Sequence, residues 1–164
     1  MTTPSLQFAV VIEVRRHAFV GCVVDEPWCE YPGRTADEAL QNTIAGLEHH
    51  LSGLIEDGDS LPQPSAQIAE VEVSLPEFYG PARSTTYKIV VERAPKNYAA
   101  YVPDLPGCIS AADTFDETLT LMQEAIEGHL ELMAEDREPL PPKAAYVEMV
   151  KVDKPQSVVA EVAD

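Results

Sequence analysis

The sequence predicts an α+β protein made of two tandem β-β-β-α-β units, each a small sheet in strand order 3-2-1-4 covered on one face by one helix. Three observations lead there. First, the chain repeats itself at an offset of 79 positions, without a gap, from Phe8 to Val73. In that register about 20 of 66 aligned pairs are identical, among them Glu13/Glu92, Asp25/Asp104, Pro27/Pro106, Cys29/Cys108 and His50/His129. Second, each copy opens with strand-like runs. Third, each copy carries a helix-capping signature followed by an apolar stripe. One small unit used twice is the economical reading.

The elements follow in order. Residues 8–14 and 87–92 are rich in β-branched and aromatic side chains and read as first strands. Polar turns at His17 and at Pro95-Lys96-Asn97 lead to second strands at 18–24 and 98–102. Asp104-Leu-Pro-Gly107 makes a Pro/Gly turn, and short third strands run through 29–31 and 108–110. Thr35-Ala-Asp-Glu38 and Thr114-Phe-Asp-Glu117 both spell a capping box, with acidic residues suited to the first helical turn. Behind the second box, Phe115, Leu119, Met122, Ile126, Leu130 and Met133 form one apolar stripe. Ala36, Leu40, Thr43, Leu47, Leu51 and Leu54 are its counterpart. After Leu-Pro at 61–62 and 140–141, fourth strands run through 67–73 and 145–152. A right-handed crossover would lay each parallel to the first strand of its own unit.

The units are thus 6–73 and 87–152, joined by a linker at 74–86 that Phe78 and Tyr79 could pin, with a polar, disordered tail at 153–164. Each unit is near the lower size limit for an independent core, so the two are expected to support each other as an intramolecular pseudo-dimer, or to form a homodimer. Strand edges are one means of doing so.

Composition narrows the function. Net charge is −17, with 3 basic against 13 acidic residues in 1–80 and 8 against 15 in 81–164. Such a surface repels phosphate backbones and attracts basic partners, so direct nucleic-acid binding is not expected. No apolar run reaches membrane-spanning length and no signal peptide is visible, so the chain reads as cytoplasmic with no membrane association. Cys22, Cys29 and Cys108 include no CxxC pair and read as small buried hydrophobes. No metal site and no cofactor is read from the sequence.

Tyr98-Ala-Ala-Tyr-Val-Pro-Asp-Leu-Pro-Gly-Cys108, followed by Asp113-Thr114-Phe-Asp-Glu117 and a helix ending in Leu-Pro-Pro142, resembles the HicB family of bacterial antitoxins. That family carries a PDLPGC turn, a G-D-T-x-x-E-A helix opening and a Pro-rich exit. The second unit matches the turn throughout but has Ala112 for the Gly and Thr118 for the Ala. The first has Val24-Asp-Glu-Pro-Trp-Cys29 for the turn, yet keeps Gly33, Thr35, Glu38 and Ala39. The resemblance covers about 65 residues of the second unit and, more weakly, the same span of the first. It implies a partial ribonuclease-H-like fold. It also implies a non-catalytic antitoxin that binds and neutralises a small basic HicA-like mRNA-cleaving toxin. Relatives often append a DNA-binding domain; here a second copy of the unit follows instead.

The candidate partner-binding residues are Tyr98, Tyr101, Pro103, Asp104, Leu105, Pro106 and Gly107. The turn they form serves equally well as a structural device or as a rigid recognition surface. Trp28, which replaces Gly107 in the first unit, is the candidate inter-unit interface residue. Two rival functions stand beside the antitoxin reading. One is a solitary regulatory or scaffold module with no toxin. The other is a metal-dependent ribonuclease-H-like nuclease using Glu13/Glu92, Glu48/Glu127 and Asp25/Asp104. No recurring fourth-strand carboxylate supports the latter. His50 and His129 recur, but no second ligand recurs beside them, so they read as satisfied helix histidines.

Overall fold

A computed structural model describes residues 5–143 and 145–153. The proposed tail beyond 153 lies outside the described residues. The chain forms β1 (Ser5–Arg15), β2 (Ala18–Val23), β3 (Glu26–Gly33), α1 (Ala36–Asp57), β4 (Gln67–Ser74), β5 (Ser84–Arg93), β6 (Tyr98–Tyr101), β7 (Ile109–Ala112), α2 (Phe115–Glu135) and β8 (Tyr146–Asp153). Two compact units result. One is Ser65–Glu148; the other comprises the chain up to Pro64 and again from Met149.

In the first unit, β1 and β2 are an antiparallel hairpin turned through Arg16, which takes φ 52°, and His17. β3 pairs antiparallel with β2, with a bulge at Cys22/Val23. The sheet order is β3-β2-β1-β8. Alternate residues of β1, Phe8, Val10 and Ile12, join Val23, Cys29, Val150 and Val152 beneath α1. The helix contributes Ala39, Thr43, Leu47 and Leu51, spaced by four so that one line of side chains faces the sheet. Thr35 Oγ1 accepts the Glu38 amide at 3.0 Å, which closes the N-terminus. Gly58 closes the other end in the left-handed region, φ 76°, with Asp59 N donating to Leu54 O at 2.8 Å.

The second unit has the sheet order β4-β5-β6-β7. Tyr87, Ile89 and Val91 face α2 together with Val71, Val73, Ala100 and Val102. The helix buries Thr118, Met122, Ile126 and Leu130. Thr114 Oγ1 accepts the Glu117 amide at 3.1 Å.

The expected strands, helices and caps are present. The strand following each helix, however, goes elsewhere than expected. β4, which follows α1, pairs with β5 across Ser74↔Ser84 to Gln67↔Val91, antiparallel rather than parallel to the first strand of its own repeat. β8, which follows α2, lies beside β1. The order 3-2-1-4 therefore holds in each sheet only with the fourth strand of the other repeat. The stretch at 74–86 is correspondingly not a linker poor in regular structure. It continues both strands and encloses a short hairpin connection with a single 3₁₀ turn at Glu77–Tyr79. Leu75 N donates to Arg83 O at 2.9 Å, and Gly80 takes φ 121°. Closing so short a loop costs little chain entropy, which favours the hairpin over a crossover. Tyr79 does pin the segment: its hydroxyl donates to Glu138 O at 2.8 Å.

Candidate partner-binding surface

The turn between β6 and β7 is built from three backbone bonds. Leu105 N donates to Val102 O at 3.1 Å, Cys108 N to Leu105 O at 3.1 Å, and Val102 N to Cys108 O at 3.3 Å. Gly107 takes φ 88°, a conformation that side-chain-bearing residues rarely adopt. Leu105 points inward and is 1% exposed, among the core side chains of its unit. It is therefore a packing residue, not a partner-facing one. Asp104 is also engaged: its Oδ1 accepts the Ala145 amide at 3.0 Å. Pro106 and Gly107 remain exposed and Pro103 is half-buried.

The two tyrosines part company. Tyr98 stacks edge-to-face on Phe115 at 6.0 Å and lies under the Arg93 guanidinium at 5.9 Å, which makes it part of the packing at the helix start. Tyr101 is cross-strand from Ile109, and the two help line a groove of about 440 Å³ with Glu92, Ala99 and Ala111. Ile109 is 70% exposed on the outermost strand of the sheet. Ser110 alternates inward, donating to Thr118 O at 3.0 Å, so Ile109 and Ala111 face away from the helix. The sequence reading missed this pair. The inward–outward alternation through 109–112 was the available signal.

In the first unit the matching turn is absent. Trp28, at the position of Gly107, is 70% exposed. A tryptophan does not tolerate the left-handed φ of Gly107, and here the residues after Asp25 run straight into β3 as extended chain.

Among the described residues, the recurring carboxylates form no group of three within metal-binding distance of one another. Glu13 accepts from Arg15 Nε at 2.9 Å and Arg15 bridges on to Glu30 at 3.0 Å, which holds the Glu30 carboxyl below the usual range. Glu127 lies 3.5 Å from the Ser74 amide. Among the described residues, the group of three ligand-bearing side chains within 4.8 Å of one another is a different one: Glu26, Cys29 and His50. Glu26 and Cys29 are 6% and 5% exposed on β3, and His50 Nε2 on α1 stands 3.7 Å from Glu26 Oε2. Burial raises the Glu26 pKa, and the nearby imidazole opposes that rise. Burial also raises the Cys29 thiol, opposed by a hydrogen bond with Tyr31.

Comparison with known proteins finds relatives of part of the chain. A family model described as HicB-like antitoxin of bacterial toxin-antitoxin system matches residues 87–163. An uncharacterized 14.9 kDa protein from the rep-hol intergenic region of Haemophilus phage HP1 is 36% identical over 78 residues, 48% of this chain and 59% of the phage protein. The chain thus spans somewhat over half the length of that relative. UPF0150 protein ssr1765 of Synechocystis is 30% identical over 73 residues, 44% of this chain and 92% of the cyanobacterial protein. No solved structure matches the chain.

Proposed function

This chain belongs to the HicB-like antitoxin family, and from that premise we propose that it acts by binding rather than by catalysis, neutralising a small basic HicA-like ribonuclease. In this reading both repeats are HicB-like, each derived from a ribonuclease-H-like unit without its metal chemistry, and the fused pair stands in for a dimer of single units. The observation that carries the reading is an apolar strip made of Ile109 and Ala111 on the outermost strand β7 and Tyr101 on its neighbour β6, beside the family turn. An isoleucine 70% exposed at a sheet edge is an aggregation hazard unless a partner covers it. Glu92 beside the strip and a net charge of −17 favour a cationic partner. Pro106 and Gly107 present a rigid backbone next to the strip, and exposed Trp28 offers an anchor on the other repeat.

The test is binding of a purified HicA-like toxin to the full chain by surface plasmon resonance. Raising salt from 50 to 500 mM should slow association strongly and change dissociation little, because steering is screened over about 8 Å at physiological salt. Ile109→Glu should speed dissociation without altering the circular dichroism spectrum. Unchanged toxin binding by that variant would remove the strip from the interface. Tight binding of the isolated protein to duplex DNA or RNA would overturn the reading as a whole.

A further inference from the structure

We propose that Glu26, Cys29 and His50 form a binding site for a zinc-class divalent cation in the first unit. The three side chains come from two elements, β3 and α1, and their ligand atoms lie within 4.8 Å of one another. A tetrahedral zinc with bonds of about 2.0 Å to nitrogen and oxygen and 2.3 Å to sulfur holds a nitrogen–oxygen pair about 3.3 Å apart and a sulfur about 3.5 Å from either. The Glu26–His50 separation of 3.7 Å is about 0.4 Å wider than that nitrogen–oxygen spacing, a gap that a small side-chain adjustment closes. The separation is too long for a hydrogen bond, and without a metal the two groups form an ion pair only when the imidazole is protonated.

The internal repeat supplies an independent argument. At the offset of 79, Cys29 and His50 match Cys108 and His129, but Glu26 matches Leu105. In the second unit that leucine is 1% exposed, and Cys108 Sγ lies 4.0 Å from Met122 Sδ, an apolar arrangement. The first unit has thus put a carboxylate at a core position, beside a cysteine and a histidine that both units possess. Burying a carboxylate in place of a leucine is costly unless a charge of opposite sign meets it. A carboxylate, a thiolate and a neutral imidazole around a divalent cation sum to zero charge, which suits a pocket as enclosed as this one. Soft sulfur with imidazole and carboxylate selects zinc-class ions over calcium or magnesium. His50 is half-buried, which leaves that side open for entry and for a water as fourth ligand. The ion would tie the helix to the sheet in a unit small enough to profit from such a tie.

The experiment uses the full chain, stripped of metal by chelation and dialysed under reductant, titrated with Co²⁺ and then with Zn²⁺. One equivalent of Co²⁺ should produce a thiolate-to-cobalt charge-transfer band and the visible absorption of a four-coordinate ion, and one equivalent of Zn²⁺ should abolish both. Cys29→Ser should lose the charge-transfer band, while Cys108→Ser keeps it. Glu26→Leu, which installs the residue of the other repeat, should fold and yet weaken Co²⁺ binding by more than the roughly 10- to 100-fold cost of losing a supporting partner. His50→Gln provides the same readout from the helix side should Glu26→Leu fail to fold. Absence of stoichiometric binding, or a band that survives Cys29→Ser or both other variants, overturns the site.

Discussion

The carboxylate of Asp104 accepts the backbone amide of Ala145 at 3.0 Å, fastening the turn before β7 to the chain that leads into β8. The family turn is thereby a clamp as well as a surface. Asp104→Ala should cost about 1–3 kcal/mol in a denaturant titration, because a hydrogen bond to a charged group is lost and a half-buried amide is left without it. Asp104→Asn, which keeps an acceptor, should recover most of that. Equal stability of the Ala variant and the parent would show that the bond contributes nothing.

The exchange of fourth strands makes the choice of fragment decisive. Residues 65–148 contain all four strands of their sheet and the helix over it, whereas residues 1–64 lack β8. The former should therefore fold as a cooperative unit by circular dichroism and thermal melting. The latter should be unfolded or associated, since the edge of β1 and the core residues Phe8 and Val10 lose Val150 and Val152. A peptide spanning 145–153 should restore its structure. A fragment 1–64 that folds alone with a sharp melting transition would contradict the topology.

Gly46 and Tyr31 are a compensated pair. A Cβ at Gly46 would stand 2.0 Å from the Tyr31 ring, and at the matching positions the second repeat has Ala125 and Ser110. Gly46→Ala should destabilise by about 1–3 kcal/mol through overpacking, despite the better helix propensity of alanine. Combined with Tyr31→Ser, the penalty should shrink, with a coupling of at least about 1 kcal/mol in a double-mutant cycle. Strict additivity would mean that the ring moves aside freely.

Cys22 should be a slow thiol. Its pKa is pushed up to about 11, first by burial and then by the Glu13 carboxylate, with Arg15 opposing. A raised thiol pKa leaves less thiolate at a given pH. At pH 8 an ordinary thiol is about a quarter ionised, whereas one titrating at 11 is ionised to about one part in a thousand. Alkylation of Cys22 by iodoacetamide, followed by peptide mass spectrometry, should be at least about 100-fold slower than in the unfolded chain, and its rate should still be climbing at pH 9.5. A rate that levels off below pH 9 would mean that the thiol is not so shielded.

What the sequence alone determined is local. The alternation of Phe8, Val10 and Ile12 and the Thr35 and Thr114 caps each depend on residues a few positions apart, and each appears where the pattern placed it. Local physics also accounts for Gly107, since only its backbone freedom suits that turn. Which sheet a fourth strand joins was not legible. Val71 and Val73 align with Val150 and Val152, so β4 and β8 offer the same apolar face and either sheet could bury it. The short connection from β4 to β5 decided the matter, by making an antiparallel hairpin the nearest pairing. The fate of the turn residues was likewise a tertiary outcome: alternation does not say that Leu105 fills the core or that Asp104 reaches across 41 positions to Ala145. Glu26, Cys29 and His50 meet only because α1 folds back over β3, and a sequence read for recurring ligands passes over a group whose distinguishing member is the one that does not recur.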